Sequence, residues 1–240
     1  MGAQNISTNK KTFFILWVLC IIGSWSVLPY IQYLRILPGT VSMWNVFLLG
    51  TVQSALFFGL ICWLSFKILP KTDLCPFLFR SFFKQIATPA VISGLLVGST
   101  IFFFDKTVFH SSLLSEFPVH PPFWVGALAS IYGGVNEEVL LRLFLFTLIY
   151  LLFGKAIKIR GDNRLSILWS VNLLVALLFG MGHLPAAFKL APPSTFEIFR
   201  VLFLNGIAGV VFGWLYWSKG LWTAIAAHFV ADLVIHVFLI

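Results

Sequence analysis

Apolar residues come in long, nearly unbroken runs separated by short polar connections. The runs fall near residues 12–33, 43–66, 88–104, 123–153, 165–184, 197–217 and 221–239. A run of about 20 apolar residues is long enough to cross a bilayer as a helix. Lipid leaves open backbone groups unsatisfied, and the runs are too long for barrel strands. The pattern predicts an all-α, polytopic transmembrane bundle of about seven helices, forming one domain over residues 1–240. The fourth run exceeds one perpendicular crossing at about 1.5 Å per residue; it must tilt, protrude, or begin with a separate segment around Phe123 to Ala129. Between the second and third runs, Leu74 to Lys84 mixes Phe and Leu with Arg80 and Lys84, the pattern of a short interfacial helix.

Composition strengthens this reading. Hydrophobic residues make up 60% of the chain and charged residues 10%, which no soluble domain requires. A net charge of +8 would suit nucleic acid, but the basic residues stand at the ends of the apolar runs, where they act as topology signals; no nucleic-acid partner is expected. One set of alternating connections holds Lys10, Lys11, Lys67, Lys71, Arg80, Lys84, Lys155, Lys158, Arg160, Arg164 and Lys219. The other holds Arg35, Lys106, Lys189 and Arg200. The positive-inside rule therefore places the N-terminus in the cytoplasm and, with seven spans, the C-terminus outside.

Cys20, Cys62 and Cys75 show no CxxC spacing and read as packing residues. The first apolar run lacks a small-x-small cleavage site and reads as a retained helix. Gly2 is not a myristoylation site, because position 6 is Ile, and the Asn5-Ile6-Ser7 sequon matters only in a glycosylating lumen. Gly94-xxx-Gly98 and Gly209-xxx-Gly213 allow close helix approach, within the bundle or in a dimer. No internal repeat of the transporter kind is present.

The chemistry lies in three places. In the fourth run, Glu138 and Arg142 are an i, i+4 pair with the acid N-terminal to the base, the favourable order for a structural ion pair. Glu137 is turned about 100° away on the same helix and has no partner at that spacing. Ionisable groups at membrane depth are costly and mark function, so Glu137 is the candidate general base; a purely structural charge network is the competing reading. In the fifth run, glycines flank His183, and Pro185 is expected to end or kink the helix. In the seventh, His228 and Asp232 share a face at i, i+4, with His236 a turn further on. Asp232 either orients His228 or, protonated, donates a hydrogen bond itself. A straight fifth helix carries His183 toward the outer face, while Glu137 falls near mid-membrane and His228 in the cytoplasmic half. One shared site then requires that helix to tilt or to start later than Leu165.

These residues resemble the CAAX prenyl protease and bacteriocin-processing (CPBP, or Abi) intramembrane proteases. That family has EExxxR on one transmembrane helix, FxxxH on a following one and HxxxN or HxxxD on a later one. The corresponding segments here are Glu137-Glu138-Val139-Leu140-Leu141-Arg142, Phe179-Gly180-Met181-Gly182-His183 and His228-Phe229-Val230-Ala231-Asp232. The resemblance covers roughly residues 120–240 as a catalytic core and leaves 1–119 as supporting helices. It implies an intramembrane endopeptidase in which Glu137 activates a water, His183 assists, and His228 with Asp232 stabilises the oxyanion. Asp232 stands where the prenyl endopeptidases have Asn, and a charged carboxylate there would repel an oxyanion.

No cofactor is expected, although Glu137, His183 and His228 are also a known catalytic zinc set. The partners implied are the bilayer and a peptide or protein substrate, possibly lipidated; compact size and the lack of an organellar targeting segment favour a bacterial inner membrane. Two other functions use the same residues: a catalytically idle immunity or scaffold protein, and a proton-coupled transporter. Peptide cleavage against proteoliposome flux separates them.

Overall fold

A computed structural model describes residues 10–36, 40–77, 82–112, 121–157, 159, 161–190 and 192–238. The expectations for Gly2, the Asn5 sequon, Arg80, Lys158 and Arg160 lie outside the described residues. The described residues form seven helices and no strand: α1 Lys10–Tyr33, α2 Met43–Lys71, α3 Thr88–Thr107, α4 Phe123–Ile157, α5 Arg164–Leu190, α6 Thr195–Lys219 and α7 Leu221–Val237. The first six are long and apolar enough to cross a membrane, and α7 is shorter. The chain is an integral membrane protein. Its lipid-facing surface fits that solvent, for Trp44, Leu49, Leu56, Leu96 and Phe123 are each more than half exposed, a surface that water would not tolerate.

α4 takes the fourth run whole, without a separate opening segment. Its helix widens into i→i+5 turns over Gly133–Glu137 and Val139–Phe146, the kind of local bulge that recurs at functional sites. α5 also departs from expectation. It continues through Pro185 to Leu190, so the proline neither ends the helix nor sets its boundary, and His183 is an interior residue. α5 begins at Arg164, so a later start is not what brings His183 to the other groups; its 27 residues extend about 40 Å, longer than the ~30 Å hydrocarbon core.

Of the expected interfacial helix, Leu74–Phe77 is irregular and turn, residues 78–81 lie outside the described set, and Phe82–Ala87 is a helical turn leading into α3. The physical reason lies at Pro76. Its carbonyl accepts from Leu221 N–H at 2.9 Å and so satisfies an open donor at the start of α7. Gly220, the one residue between α6 and α7, has φ +106°, which a residue with a side chain adopts only under strain.

Two glycine pairs settle how the bundle closes. A Cβ on Gly94 would stand 2.6 Å from the Ala227 carbonyl oxygen, and one on Gly98 would stand 2.6 Å from Val234 Cβ. A Cβ on Gly209 would come within 2.8 Å of Ala176, and Gly213 faces the Asn172 side chain. Both motifs are therefore consumed inside the bundle, joining α3 to α7 and α6 to α5. The two ends are fastened by ion pairs: Arg164 to Asp73 at the Lys/Arg-rich end, and Arg200 to Asp105 at 2.7 Å at the other.

Candidate active site

Glu137 and Glu138 leave α4 in different directions, and their surroundings differ accordingly. The side chains of Glu138 and Arg142 are 0% exposed and pair at 3.0 Å. Arg142 Nη2 also donates to the Gly209 carbonyl at 3.3 Å. The guanidinium lies 5.0 Å from the ring centre of Phe179 and 5.8 Å from that of Phe212, so aromatic faces on α5 and α6 take part of its charge. The expected ion pair is thus present and sealed.

It is also extended. His228 Nδ1 lies 2.8 Å from Glu138 Oε1, and the imidazole stacks on Phe212 at 4.5 Å with planes 24° apart. A carboxylate accepts, so Nδ1–H donates and Nε2 is left for other work. Asp232 Oδ1 is 3.6 Å from that Nε2, too far for a hydrogen bond. The hydrogen bond to His228 is made by Glu138 and not by Asp232.

His183 is held the same way by its own helix. Its Nδ1 is 2.9 Å from the Phe179 carbonyl, which only accepts, so Nδ1 carries the proton and Nε2 presents a lone pair. The Phe179 ring meets His183 edge-on at 4.7 Å and His228 at 5.7 Å. The aromatic of the FxxxH pattern therefore packs against Arg142 and both histidines.

Glu137 is where the free nitrogens converge. Its Oε1 is 3.9 Å from His183 Nε2, and its Oε2 is 3.7 Å from His228 Nε2. Its side chain is 22% exposed, that of His183 36% and that of Asp232 17%, in contrast to the sealed pair behind them. Glu137, His183, His228 and Asp232, taken from three helices, thus form one cluster, and the opposed depths expected for them do not keep them apart.

Glycines before the acids allow this convergence. A Cβ on Gly133 would collide with the Asp232 carboxylate, and one on Gly134 would stand 3.0 Å from the Ile225 carbonyl oxygen, so α7 lies directly against α4. On the opposite face, Asn136 is buried and donates to the Cys20 carbonyl at 2.8 Å and to Ser24 Oγ at 2.9 Å. Ser24 in turn pairs with Ser54 of α2 at 2.7 Å, and Gly23 leaves room for the Asn136 amide. Sequence reasoning missed these residues; the polar Asn136 and two glycines beside the acids were the available signal.

A cavity of about 370 Å³ opens beside Glu137, lined by Val27, Leu28 and Ile31 of α1, Phe57 and Phe58 of α2, and Tyr132, Asn136 and Leu140 of α4. The first two helices therefore shape the approach to the carboxylate. Among the described residues, no three His, Cys, Asp or Glu side chains are grouped as a metal ion would require.

A membrane-embedded helical bundle with one partly exposed glutamate facing two preoriented imidazoles defines a carboxylate–histidine intramembrane site. Residues 119–234 match the family model of type II CAAX prenyl endopeptidase Rce1-like, a domain of the CPBP/Abi family. No curated protein matches the chain, and no solved structure does.

Proposed function

We propose that the protein is an intramembrane endopeptidase that hydrolyses a peptide bond with a water activated by Glu137. The observation that carries this reading is the facing of Glu137 Oε1 and Oε2 toward the unprotonated side of His183 and the free nitrogen of His228, at 3.9 and 3.7 Å. Those separations suit one small oxygen ligand held between the three groups. In the reaction, Glu137 accepts a proton from water as its oxygen bonds to the carbonyl carbon. The tetrahedral oxyanion is met by His228 in its imidazolium form, donating from Nε2, and by Asp232 in its protonated form. Glu137 then returns the proton to the departing nitrogen as the C–N bond breaks, which leaves a carboxylate and an amine.

His183 holds the water through its Nε2 lone pair, accepting a hydrogen bond from it. Residues 120–240 supply the catalytic groups. Residues 1–119 support them, and α1 and α2 add the apolar wall of the cavity, which suits a substrate segment with an apolar or lipid-modified side chain. The N-terminus faces the cytoplasm, and a bacterial inner membrane is the proposed setting.

The test compares wild type with Glu137→Gln on quenched peptides, prenylated and unprenylated, with and without a chelator. Cleavage by wild type that falls by a factor of about 10² or more in the variant, unchanged by chelator, is the expected result. Chelator-sensitive cleavage would transfer the activation of water to a metal. A folded wild type that cleaves nothing while carrying flux in proteoliposomes would favour the transporter.

A further inference from the structure

A second cavity, of about 520 Å³, lies at the Lys/Arg-rich end of the bundle between the end of α2 and the end of α4. It is lined by Lys71 and Lys155, by Leu151 and Ile159, and by Asp73 and Tyr150. Tyr150 is thirteen positions beyond Glu137 along α4, about 20 Å at helical rise, so this cavity is separate from the one beside the carboxylate.

The charges around it do not balance. Asp73 is the one carboxylate lining it, and that carboxylate is already engaged: Arg164 pairs with it, and Tyr150 O–H donates to it at 2.8 Å. Burial raises the Asp73 pKa, but Arg164 and the tyrosine hydroxyl outweigh burial and hold it below the usual carboxylate range. Lys71 and Lys155, both exposed, have no ion-pair partner among the described residues. These two ammonium groups line a recess that also presents the apolar side chains of Leu151 and Ile159. The position is the end of a membrane-spanning bundle, where a phosphate-bearing headgroup and the start of its acyl chains are both at hand.

We propose that this recess is a binding site for the phosphate headgroup of an anionic phospholipid, held by Lys71 and Lys155, with its chains along Leu151 and Ile159. The ligand chemistry is a phosphate ester on an apolar stem. The site requires two cations over one recess rather than a diffuse basic surface, and it is independent of the proposed peptidase reaction. Occupancy would tie α2 to α4 across the end at which Asp73 already joins them to α5.

The test uses the full chain in nanodiscs of phosphatidylcholine doped with phosphatidylglycerol, released into detergent and read by native mass spectrometry. Wild type is expected to retain phosphatidylglycerol and shed phosphatidylcholine. Each lysine near an anionic surface contributes about five-fold in affinity, so Lys71→Gln with Lys155→Gln is expected to lower retention about 20-fold or more, while Lys189→Gln at the opposite end changes nothing. Both lysines are exposed, so the variants are expected to unfold at the wild-type temperature, which the same samples check. Equal retention by wild type and the double variant, or equal retention of the two lipids by wild type, would overturn the proposal. A separate titration with inorganic phosphate distinguishes the source: lysine-dependent binding of free phosphate without phosphatidylglycerol retention would overturn a lipid site in favour of a soluble phosphate.

Discussion

Glu138 and Asp232 both approach His228, and their contacts differ. Glu138 serves two partners, Arg142 at 3.0 Å and His228 at 2.8 Å, and replacing it by Gln leaves a buried guanidinium without its carboxylate. Breaking a buried pair from one side costs about 3–5 kcal/mol, so Glu138→Gln is expected to lower the unfolding temperature markedly. Glu137→Gln, at a partly exposed position, is expected to leave it nearly unchanged. Adding Arg142→Met to Glu138→Gln is expected to recover stability but not cleavage, because the Gln amide offers His228 Nδ1–H only a neutral acceptor in place of the carboxylate. Recovery of both by the double variant would show that Glu138 acts only through Arg142. Asp232 lies 3.6 Å from the free nitrogen of His228 and makes no hydrogen bond to it. If it acts as a donor to an oxyanion, Asp232→Asn supplies the same donor without a charge and is expected to stay within a few-fold of wild type. Asp232→Ala loses the donor, at a cost of about 10² to 10³ in turnover. An Asn variant as impaired as the Ala variant would mean that the carboxyl itself is required.

Three helices meet at Asp73, which follows α2, bonds Tyr150 of α4 and pairs with Arg164 at the start of α5. Its folded pKa lies below the unfolded value of about 3.9. The stabilisation is therefore complete above that value and is lost as pH falls through the folded pKa. Asp73→Asn is expected to unfold below wild type at neutral pH, with the gap closing below about pH 4; a gap constant from pH 7 to pH 3 would remove ionisation as its cause. The contrast with what sequence made visible is one of distance along the chain. Glu138 and Arg142 were legible because a helix brings i and i+4 together by its own geometry. Arg164 with Asp73, and His228 with Glu138, are 91 and 90 residues apart, and local periodicity says nothing about such pairs. Pro185 misled for a related reason: a missing N–H weakens a helix, but in α5 it does not interrupt one that is packed along α6. The GxxxG pairs announced close packing without naming the neighbour, and only the positions of α7 and Ala176 make them internal.

At the scale of the molecule, the ends of the bundle differ in charge, and that difference argues an orientation. Lys67, Lys71, Lys155 and Arg164 gather at one end, with Lys106, Lys189 and Arg200 at the other, and basic residues are retained on the cytoplasmic side during insertion. The chain carries its own reporter for this. Cys20 and Cys62 are buried, whereas Cys75 is exposed, beside Asp73 at the richer end. A membrane-impermeant maleimide is therefore expected to label wild type in inverted membrane vesicles and not in intact cells, with Cys75→Ser abolishing the signal. Lys189→Cys in the Cys75→Ser background is expected to reverse the pattern, since α5 ends at the opposite face. Labelling of Cys75 from outside intact cells would invert the whole topology. Glu137 would then be approached from the other compartment, and the class of peptide that reaches it would change with it. The labelling pattern thus fixes, before any substrate is found, which side of the membrane the search should begin on.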